Sequence, residues 1–246
     1  MGVFIQQVIN GVSIGCIYAL IALGYTMVYG VLRMVNFAHG EIFMLGSLAS
    51  LFFLRATGTV AGPFSRPTTP MTGVDVFLTL SAALLSGAVF AGLVNVLSER
   101  TAYTRLRRSA SELSIISSLG VSIFLQNAAM FIGGRNKKGF PRLIETRYYS
   151  VGGATLTSVH LLIILLSAVV LAFLFFLVYR TTLGRCVRAV AEDHETARLM
   201  GVNVDLTISL VFFIGGAIGG ISGWMYSMYY TQSMYSMGTL VGIKGF

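Results

Sequence analysis

Three polar residues, Asn36, His39 and Glu41, interrupt the apolar opening of the chain within the segment NFAHGE. Polar side chains this close to a hydrocarbon layer are costly, so they often mark a gate or a translocation path. A purely structural explanation also suffices, because Asn36 can cap a helix and Gly40 permits a sharp turn. The segment therefore supports two hypotheses, a tight helical hairpin and a role in gating or in the translocation path.

The remaining residues that could do chemistry are isolated along the chain. His160 and His194 have no Cys, Ser or carboxylate at a spacing that would form a catalytic group, and Cys16 and Cys186 lie far apart without ligand-like neighbours. We therefore expect no catalytic residue, no disulfide and no metal site. A GxxxxGK[ST] phosphate loop is also absent from the sequence, so we expect no cofactor on this chain.

The composition predicts a membrane protein. Of the 246 residues, 55% are hydrophobic and 11% are charged, whereas about a quarter are charged in soluble domains. The apolar runs are continuous rather than alternating, which indicates membrane-spanning helices and not a barrel. The net charge of +8 comes from short basic stretches between these runs, which is typical of membrane topology and not of nucleic-acid binding.

The apolar runs predict an all-α, polytopic transmembrane bundle of about six spans in a single domain covering residues 1–246. The predicted spans are residues 4–32, 42–54, 74–97, 115–132, 159–179 and 206–226. A proline-rich linker at 55–72 and a charged loop or interfacial helix at 98–111 separate them, followed by a long polar stretch at 133–158.

Small residues at four-residue spacing predict close packing of helices in two places, because small side chains let backbones approach. One stripe, Gly11 and Gly15 with Ala19, lies on the first span, and direct substrate contact is an alternative role for it. The other stripe lies on the last span and consists of Gly215, Gly216, Gly219, Gly220 and Gly223. The aromatic residues that follow predict an interfacial belt: Trp224, Tyr226, Tyr229 and Tyr230.

The polar stretch at 180–205, RTTLGRCVRAVAEDHETARLMGVNVD, differs from the linkers because it is rich in helix-forming residues. Acidic residues precede a short run at 196–200, and Gly201 follows as a C-terminal cap. This pattern predicts a short amphipathic helix along the membrane surface, with Leu199 and Met200 available to a partner.

The same stretch resembles the cytoplasmic docking loop of ABC-importer permeases, through Ala191, Glu192, Ala197 and Gly201. Residues 10–46, SERTAYTRLRR at 98–108 and GVSIFLQN at 120–127 resemble the branched-chain amino-acid permeases of that class. The resemblance implies an importer permease fold and a loop that couples to an ATPase. The coupling residues it implies are Arg188, Ala191, Glu192, Asp193, Glu195, Ala197, Leu199 and Gly201.

The resemblance also implies partners and a location. We expect cytoplasmic ATPase subunits that hold ATP and Mg²⁺, a second permease subunit that is a copy or a paralogue, and a periplasmic or lipid-anchored substrate-binding protein. Membrane lipid is expected to surround the chain, and nucleic acid is not a partner. The location is a bacterial-type inner membrane.

Charge counting leaves the orientation open, since nine Lys and Arg residues fall on one side and eight on the other. The resemblance places residues 180–205 and 98–111 in the cytoplasm and 133–158 outside. Family members continue past a segment like GTLVGIKGF at 238–246, where this sequence stops. We therefore expect the C-terminal spans of the family to be lacking.

Two alternative functions stay open. One is a urea or short-amide permease of the same family. The other is a self-sufficient carrier or channel. A proton-coupled carrier is expected to hold carboxylates or histidines in mid-membrane, whereas Glu41, Asp75, Glu112 and His160 lie near the ends of predicted spans.

Overall fold

The computed structural model of the protein describes residues 2–61, 66–67, 73–104, 111–144, 147–151 and 153–246. The helices of this described part are α1 (Gly2–Leu32), α2 (His39–Ala56), α3 (Gly73–Ser98), α4 (Ser111–Gly133), α5 (Ser158–Arg180), α6 (Thr182–Glu192), α7 (His194–Leu199), α8 (Val204–Tyr230) and α9 (Met237–Gly245).

Short antiparallel strand pairs connect some of these helices. Strand β1 (Val60–Ala61) pairs with β2 (Arg66–Pro67), and β3 (Lys138–Gly139) pairs with β6 (Gln232–Ser233). Strand β4 (Tyr148–Val151) pairs with β5 (Ala154–Thr157). The architecture is the predicted all-α membrane bundle, with strands only in the connections that the structure describes.

Within the described residues, five helices are long and apolar enough to cross a membrane: α1, α3 with its continuation to Tyr103, α4 from Leu113, α5 and α8. Helix α2 coincides with the remaining predicted span. It has 18 residues, about 27 Å at 1.5 Å per residue. Most of α2 is buried inside the bundle, so protein rather than lipid surrounds much of this helix.

Helix α8 is the centre of the bundle and packs against α1, α2 and α3. A Cβ atom at Gly215 would lie 3.2 Å from the carbonyl oxygen of Gly24 on α1, and one at Gly220 would lie 2.6 Å from that of Gly87 on α3. The contact at Gly220 leaves no room for a larger side chain, and a Cβ atom at Gly215 would require its neighbours to shift by a few tenths of an ångström. The glycines of the predicted stripe on α8 all lie at such contacts, namely Gly215, Gly216, Gly219, Gly220 and Gly223.

The stripe on α1 is different. No atom of the neighbouring helices in the described part lies within 4 Å of a Cβ placed at Gly11 or Gly15, and both glycines are exposed. The predicted close packing at Gly11 and Gly15 is therefore wrong within this chain. The face of α1 that carries them points away from the bundle.

The predicted tight hairpin of the first two spans is also wrong. Helices α1 and α2 contact each other at few positions, because α8 packs extensively against both. Arg33 follows α1 with a left-handed backbone (φ +53°), and α2 starts with His39 in contact with Gly24. Gly24 lies two helical turns before the end of α1, about 12 Å along its axis. The connection thus folds back into the bundle, and α2 begins at that depth.

The loop or interfacial helix predicted at 98–111 is wrong for its first part. Helix α3 continues there as a π-helical segment, Glu99–Tyr103, and this segment buries the side chains of Glu99 and Tyr103. A π-helical turn shifts the direction of the side chains that follow it and often occurs at functional sites. Residues 105–110 lie outside the described part of the chain.

The predicted aromatic belt is wrong for Trp224, and for the three tyrosines it stays a prediction. Trp224 is buried in the core and therefore does not belong to an interfacial belt. Tyr226, Tyr229 and Tyr230 pack ring against ring, with centroids of Tyr226 and Tyr230 4.4 Å apart, and Tyr229 also contacts His160 of α5 at 5.6 Å.

Candidate functional site

Residues 180–205, here called the coupling segment, form two helices instead of the single short helix predicted from the sequence. Thr181 has an extended backbone and its hydroxyl accepts a hydrogen bond from the backbone N–H of Gly184, which starts α6. Asp193 is extended again (φ −151°) and separates α6 from α7. The polar sequence folds this way because each helix begins at a side chain that caps it.

Both ends of α7 are fixed by local interactions. The Asp193 carboxylate accepts hydrogen bonds from the backbone N–H groups of Glu195 at 2.7 Å and Thr196 at 3.3 Å, and from the Thr196 hydroxyl at 3.0 Å. These hydrogen bonds lower the pKa of Asp193 below its ordinary value. The carboxylate is therefore a stable cap at neutral pH.

At the other end of α7, Gly201 has a φ of +82°. Its N–H donates to the Arg198 carbonyl at 3.1 Å, and the Val202 N–H donates to the Ala197 carbonyl at 3.0 Å. This pair of bonds is a Schellman motif, which requires a left-handed residue at this position. Gly201 thus ends the helix as its sequence position predicts.

The surface of the coupling segment combines apolar and acidic side chains. Leu199 is 88% exposed and Met200 is 81% exposed, so neither of these large apolar side chains packs inside this chain. Glu192, Asp193 and Glu195 are also exposed on this segment. The arrangement offers a small apolar contact with an acidic border to a partner outside the chain.

Two other predicted coupling residues face the protein itself. The Ala197 side chain is buried, so it packs α7 against the bundle. Arg188 donates to the carbonyl oxygen of Val178 and lies over the ring of Tyr179 at 5.7 Å. Its guanidinium group is thereby held against α5.

The coupling segment is tied to the end of α1. The His194 ring donates through Nε2 to the carbonyl oxygen of Val31 at 2.9 Å. The Arg33 guanidinium donates to the carbonyl oxygen of Ala191 at 3.4 Å. Sequence reasoning treated His194 as isolated, because nothing local in the sequence shows that the end of α1 is its partner.

Asn36 belongs to a buried hydrogen-bonded group that we call the asparagine cluster, consisting of Asn36, Asn95 and Tyr103. The Tyr103 hydroxyl donates to Asn36 Oδ1 at 2.8 Å, and Asn36 Nδ2 lies 3.5 Å from Asn95 Oδ1. Asn95 Nδ2 donates to the carbonyl oxygen of Phe212 on α8 at 2.7 Å. The cluster therefore joins the α1–α2 connection to α3 and α8.

The predicted capping of a helix by Asn36 takes a different form. Its Oδ1 accepts from the backbone N–H of Ala38 at 3.1 Å, which orders the connection, whereas the residue that precedes α2 has no side-chain cap. Sequence reasoning missed Asn95 and Tyr103. The available signal was an amide in the otherwise apolar third span.

His39 is fully buried where α1, α2 and α8 meet. Its imidazole lies against Gly24 and Gly219 and contacts the ring of Tyr25, with centroids 4.7 Å apart. Neither ring nitrogen has a hydrogen-bond partner in the described part of the chain. The two glycines make the space that the imidazole occupies.

Glu41 faces a different set of neighbours, on α4 and α9. Its Oε1 accepts a hydrogen bond from the Thr239 hydroxyl at 2.8 Å, and Gln126 Nε2 donates to the same hydroxyl oxygen at 3.0 Å. The Ser122 side chain also lies beside the carboxyl group, yet within the described residues no hydrogen bond reaches Glu41 Oε2. A buried carboxyl oxygen without a partner is costly in a membrane protein.

The depth of Glu41 corrects one step of the sequence argument. Glu41 lies in the first turn of α2, near the end of a predicted span, but α2 starts beside Gly24 in the interior of the bundle. A carboxyl group and a histidine therefore do lie in the interior of the bundle. Asn36, His39 and Glu41 are all buried but face different partners.

Comparison with known proteins assigns the chain to a family. Residues 7–246 match the family described as branched-chain amino acid transport system / permease component. The chain belongs to this permease family. The match includes the coupling segment, the asparagine cluster and α9.

Characterised relatives cover nearly all of the chain. The permease protein BraD of the high-affinity branched-chain amino acid transport system of Pseudomonas aeruginosa is 35% identical over 99% of this chain and 77% of its own length. The corresponding permease protein LivH of Escherichia coli is 34% identical with the same coverage. A probable LivH of Methanocaldococcus jannaschii is 25% identical over 83% of this chain and 60% of its own length. No solved structure matches the chain significantly.

Membership of the branched-chain amino acid permease family fixes the general function. Members are multi-pass inner-membrane permease components of ABC transporters and are not themselves enzymes; they work with ATPase and substrate-binding partners. The membrane-spanning helices of this chain agree with that location.

Proposed function

We propose that this chain is the permease subunit of an ATP-driven importer for branched-chain, hydrophobic amino acids. The relatives named for branched-chain amino acid transport support the substrate class. The observation that carries the mechanism is the coupling segment, where Leu199 and Met200 are exposed on a doubly capped helix that is hydrogen-bonded to the end of α1.

In the proposed cycle, ATP and Mg²⁺ are bound by cytoplasmic ATPase subunits and not by this chain. The ATPases contact Leu199 and Met200 and pull the coupling segment when they close on ATP. Because His194 bonds to Val31 and Arg33 to Ala191, movement of the segment is transmitted to the α1–α2 connection. The asparagine cluster then passes it to α3 and α8.

The path itself requires two further partners in this proposal. A periplasmic or lipid-anchored binding protein delivers the amino acid from outside, and a second permease subunit, a copy or a paralogue, completes the path. The outward face of α1 with Gly11 and Gly15 is available to that subunit or to lipid. The α1–α2 connection, which the coupling segment contacts through Arg33, carries Asn36 and leads into the buried start of α2, where His39 and Glu41 lie. This placement supports a role for the three residues in gating.

The test is uptake by the reconstituted transporter. Proteoliposomes that contain the assembled complex are prepared with binding protein outside and ATP enclosed with the ATPases. They are expected to accumulate radiolabelled L-leucine, whereas proteoliposomes without ATP are not. A variant with Leu199→Glu and Met200→Glu is expected to lose both ATPase association and uptake, because charges replace the apolar contact. Asn136→Glu combined with Lys137→Glu is the matched control, because both residues are exposed in the polar stretch at 133–158 that is predicted to lie on the opposite side of the membrane.

Three results would contradict the proposal. Leucine uptake by the purified subunit alone would indicate a self-sufficient carrier. ATP-dependent uptake of urea or a short amide, with none of leucine, would indicate the other branch of the family. Unchanged ATPase association in the Leu199 and Met200 variant would exclude the assigned docking surface.

A further inference from the structure

We propose that the Glu41 carboxylate binds the α-ammonium group of the transported amino acid, with Oε2 as the acceptor. This inference rests on the proposed function, because it takes the cargo to be an amino acid. It gives Glu41 a chemical task that membership of the family does not assign.

The state of the carboxyl group points to a cationic ligand. Thr239 already occupies Oε1 at 2.8 Å and thereby orients the group, while Oε2 is buried and has no hydrogen-bond partner among the described residues. A carboxylate oxygen in low dielectric is stabilised most by a donor that also carries positive charge. The ammonium group is the part of an amino acid with both properties.

The surroundings of Glu41 match the rest of such a ligand. Thr239 is exposed and Gln126 is half-buried, so their hydrogen bond connects the buried carboxyl group to the surface between α4 and α9. Ile123 and Ile243 are exposed and lie one helical turn from Gln126 and Thr239, on the same helix faces. A branched aliphatic side chain can contact them while the ammonium group reaches inward.

Helix α9 covers the carboxyl group in this conformation. A Cβ atom at Gly238 would lie 2.5 Å from Glu41 Oε2, and one at Gly40 would lie 2.9 Å from the Cα of Gly242. Backbone atoms of α9 at Gly238, and not a side chain, therefore cover Glu41 Oε2. In this proposal α9 moves away from α2 to open Oε2 to the ligand.

The test is equilibrium binding to the assembled transporter in lipid nanodiscs without binding protein. Three radiolabelled probes separate the groups of the ligand: L-leucine, 3-methylbutylamine, which lacks the carboxylate, and 4-methylpentanoate, which lacks the ammonium group. Empty nanodiscs correct for partition into lipid. Leucine and the amine are expected to bind, and the acid is not.

Glu41→Gln keeps the shape and the acceptor for Thr239 but removes the charge. We expect it to weaken binding of leucine and of the amine about tenfold or more. Ser222→Ala, which removes a buried hydroxyl bonded within its own helix, is the matched control and should bind both probes normally. If Glu41→Gln does not assemble, Thr239→Val is used. This variant removes the hydroxyl that orients the Glu41 carboxyl group, and it should weaken amine binding severalfold.

Leucine binding by Glu41→Gln within twofold of the wild type would overturn the inference. So would equal binding of acid and amine, or no amine binding by the wild type. Measurement of ATP-driven uptake in the same complex distinguishes failure of the ammonium site from failure of the proposed function. A wild type that imports leucine while Glu41→Gln binds it normally refutes only the ammonium site, whereas a wild type that imports no leucine refutes the importer.

Discussion

Replacement of Asn36 by alanine is expected to destabilise the bundle more than loss of the Tyr103 hydroxyl, the other half of this hydrogen bond in the asparagine cluster. Asn36 Oδ1 accepts from both the Tyr103 hydroxyl and the Ala38 N–H. The substitution leaves both donors without their partner, and Tyr103 is fully buried. An unsatisfied buried group costs about 1–3 kcal/mol, and hydrogen bonds between membrane helices are worth about 0.6 kcal/mol on average. We therefore expect a loss of about 2 kcal/mol.

Tyr103→Phe is the matched comparison, because it removes one donor and leaves Asn36 bonded to Ala38. We expect about 0.6–1 kcal/mol for this variant. The double variant is expected to be no less stable than Asn36→Ala alone, since phenylalanine removes the hydroxyl that alanine had left unpaired. The two substitutions are thus predicted to be non-additive.

The assay is equilibrium unfolding in mixed detergent micelles, followed by the fluorescence of Trp224, which is the sole tryptophan and is buried in α8. Thr26→Ala serves as a control, since that hydroxyl is exposed and bonds only within its own helix. Equal destabilisation by Asn36→Ala and Tyr103→Phe, or strict additivity in the double variant, would refute the role of Asn36 as the shared acceptor.

Two further substitutions test the packing and the coupling segment. Gly220→Ala is expected to destabilise the bundle by about 1–3 kcal/mol through overpacking, because its Cβ would lie 2.6 Å from the Gly87 carbonyl oxygen. The control Gly11→Ala, with open space around it, should be neutral or slightly stabilising in the same unfolding assay. Equal effects of the two substitutions would contradict the packing of α8 against α3. Gly201→Val is expected to reduce co-purification of the ATPase while membrane insertion is retained, because a β-branched residue is strained at φ +82°. Gly201→Asn should be tolerated better. Normal co-purification of the ATPase with the valine variant would count against the helix cap as a requirement for docking.

The features predicted correctly from sequence are those set by local pattern. The spans follow from the lengths of the apolar runs, and the glycine stripe on α8 follows from its spacing. The end of α7 at Gly201 depends on one residue that tolerates a left-handed backbone, so it too could be predicted. The coupling role of residues 180–205, inferred from the resemblance to permease docking loops, stays a prediction.

The features missed depend on contacts between distant parts of the chain. The depth at which α2 begins is set by packing of His39 against Gly24, and no local signal reports it. The same holds for the partner of His194 and for the hydroxyl of Tyr103, which meets Asn36 across 67 positions of sequence. The spacing of Gly11 and Gly15 predicts close packing, but spacing alone does not report that this face of α1 points away from the bundle.

In the proposed mechanism an ATPase binds the coupling segment from the cytoplasm. The most direct measurement places a photoreactive amino acid at Leu199 in intact cells, with the same residue at Val3, exposed at the far end of α1, as the control. Photocross-linking is expected to join position 199, and not position 3, to a protein that contains a GxxxxGK[ST] loop. The account is contradicted if Leu199 gives no adduct with an ATPase, or if a membrane-impermeant reagent labels a cysteine at that position from outside the cell.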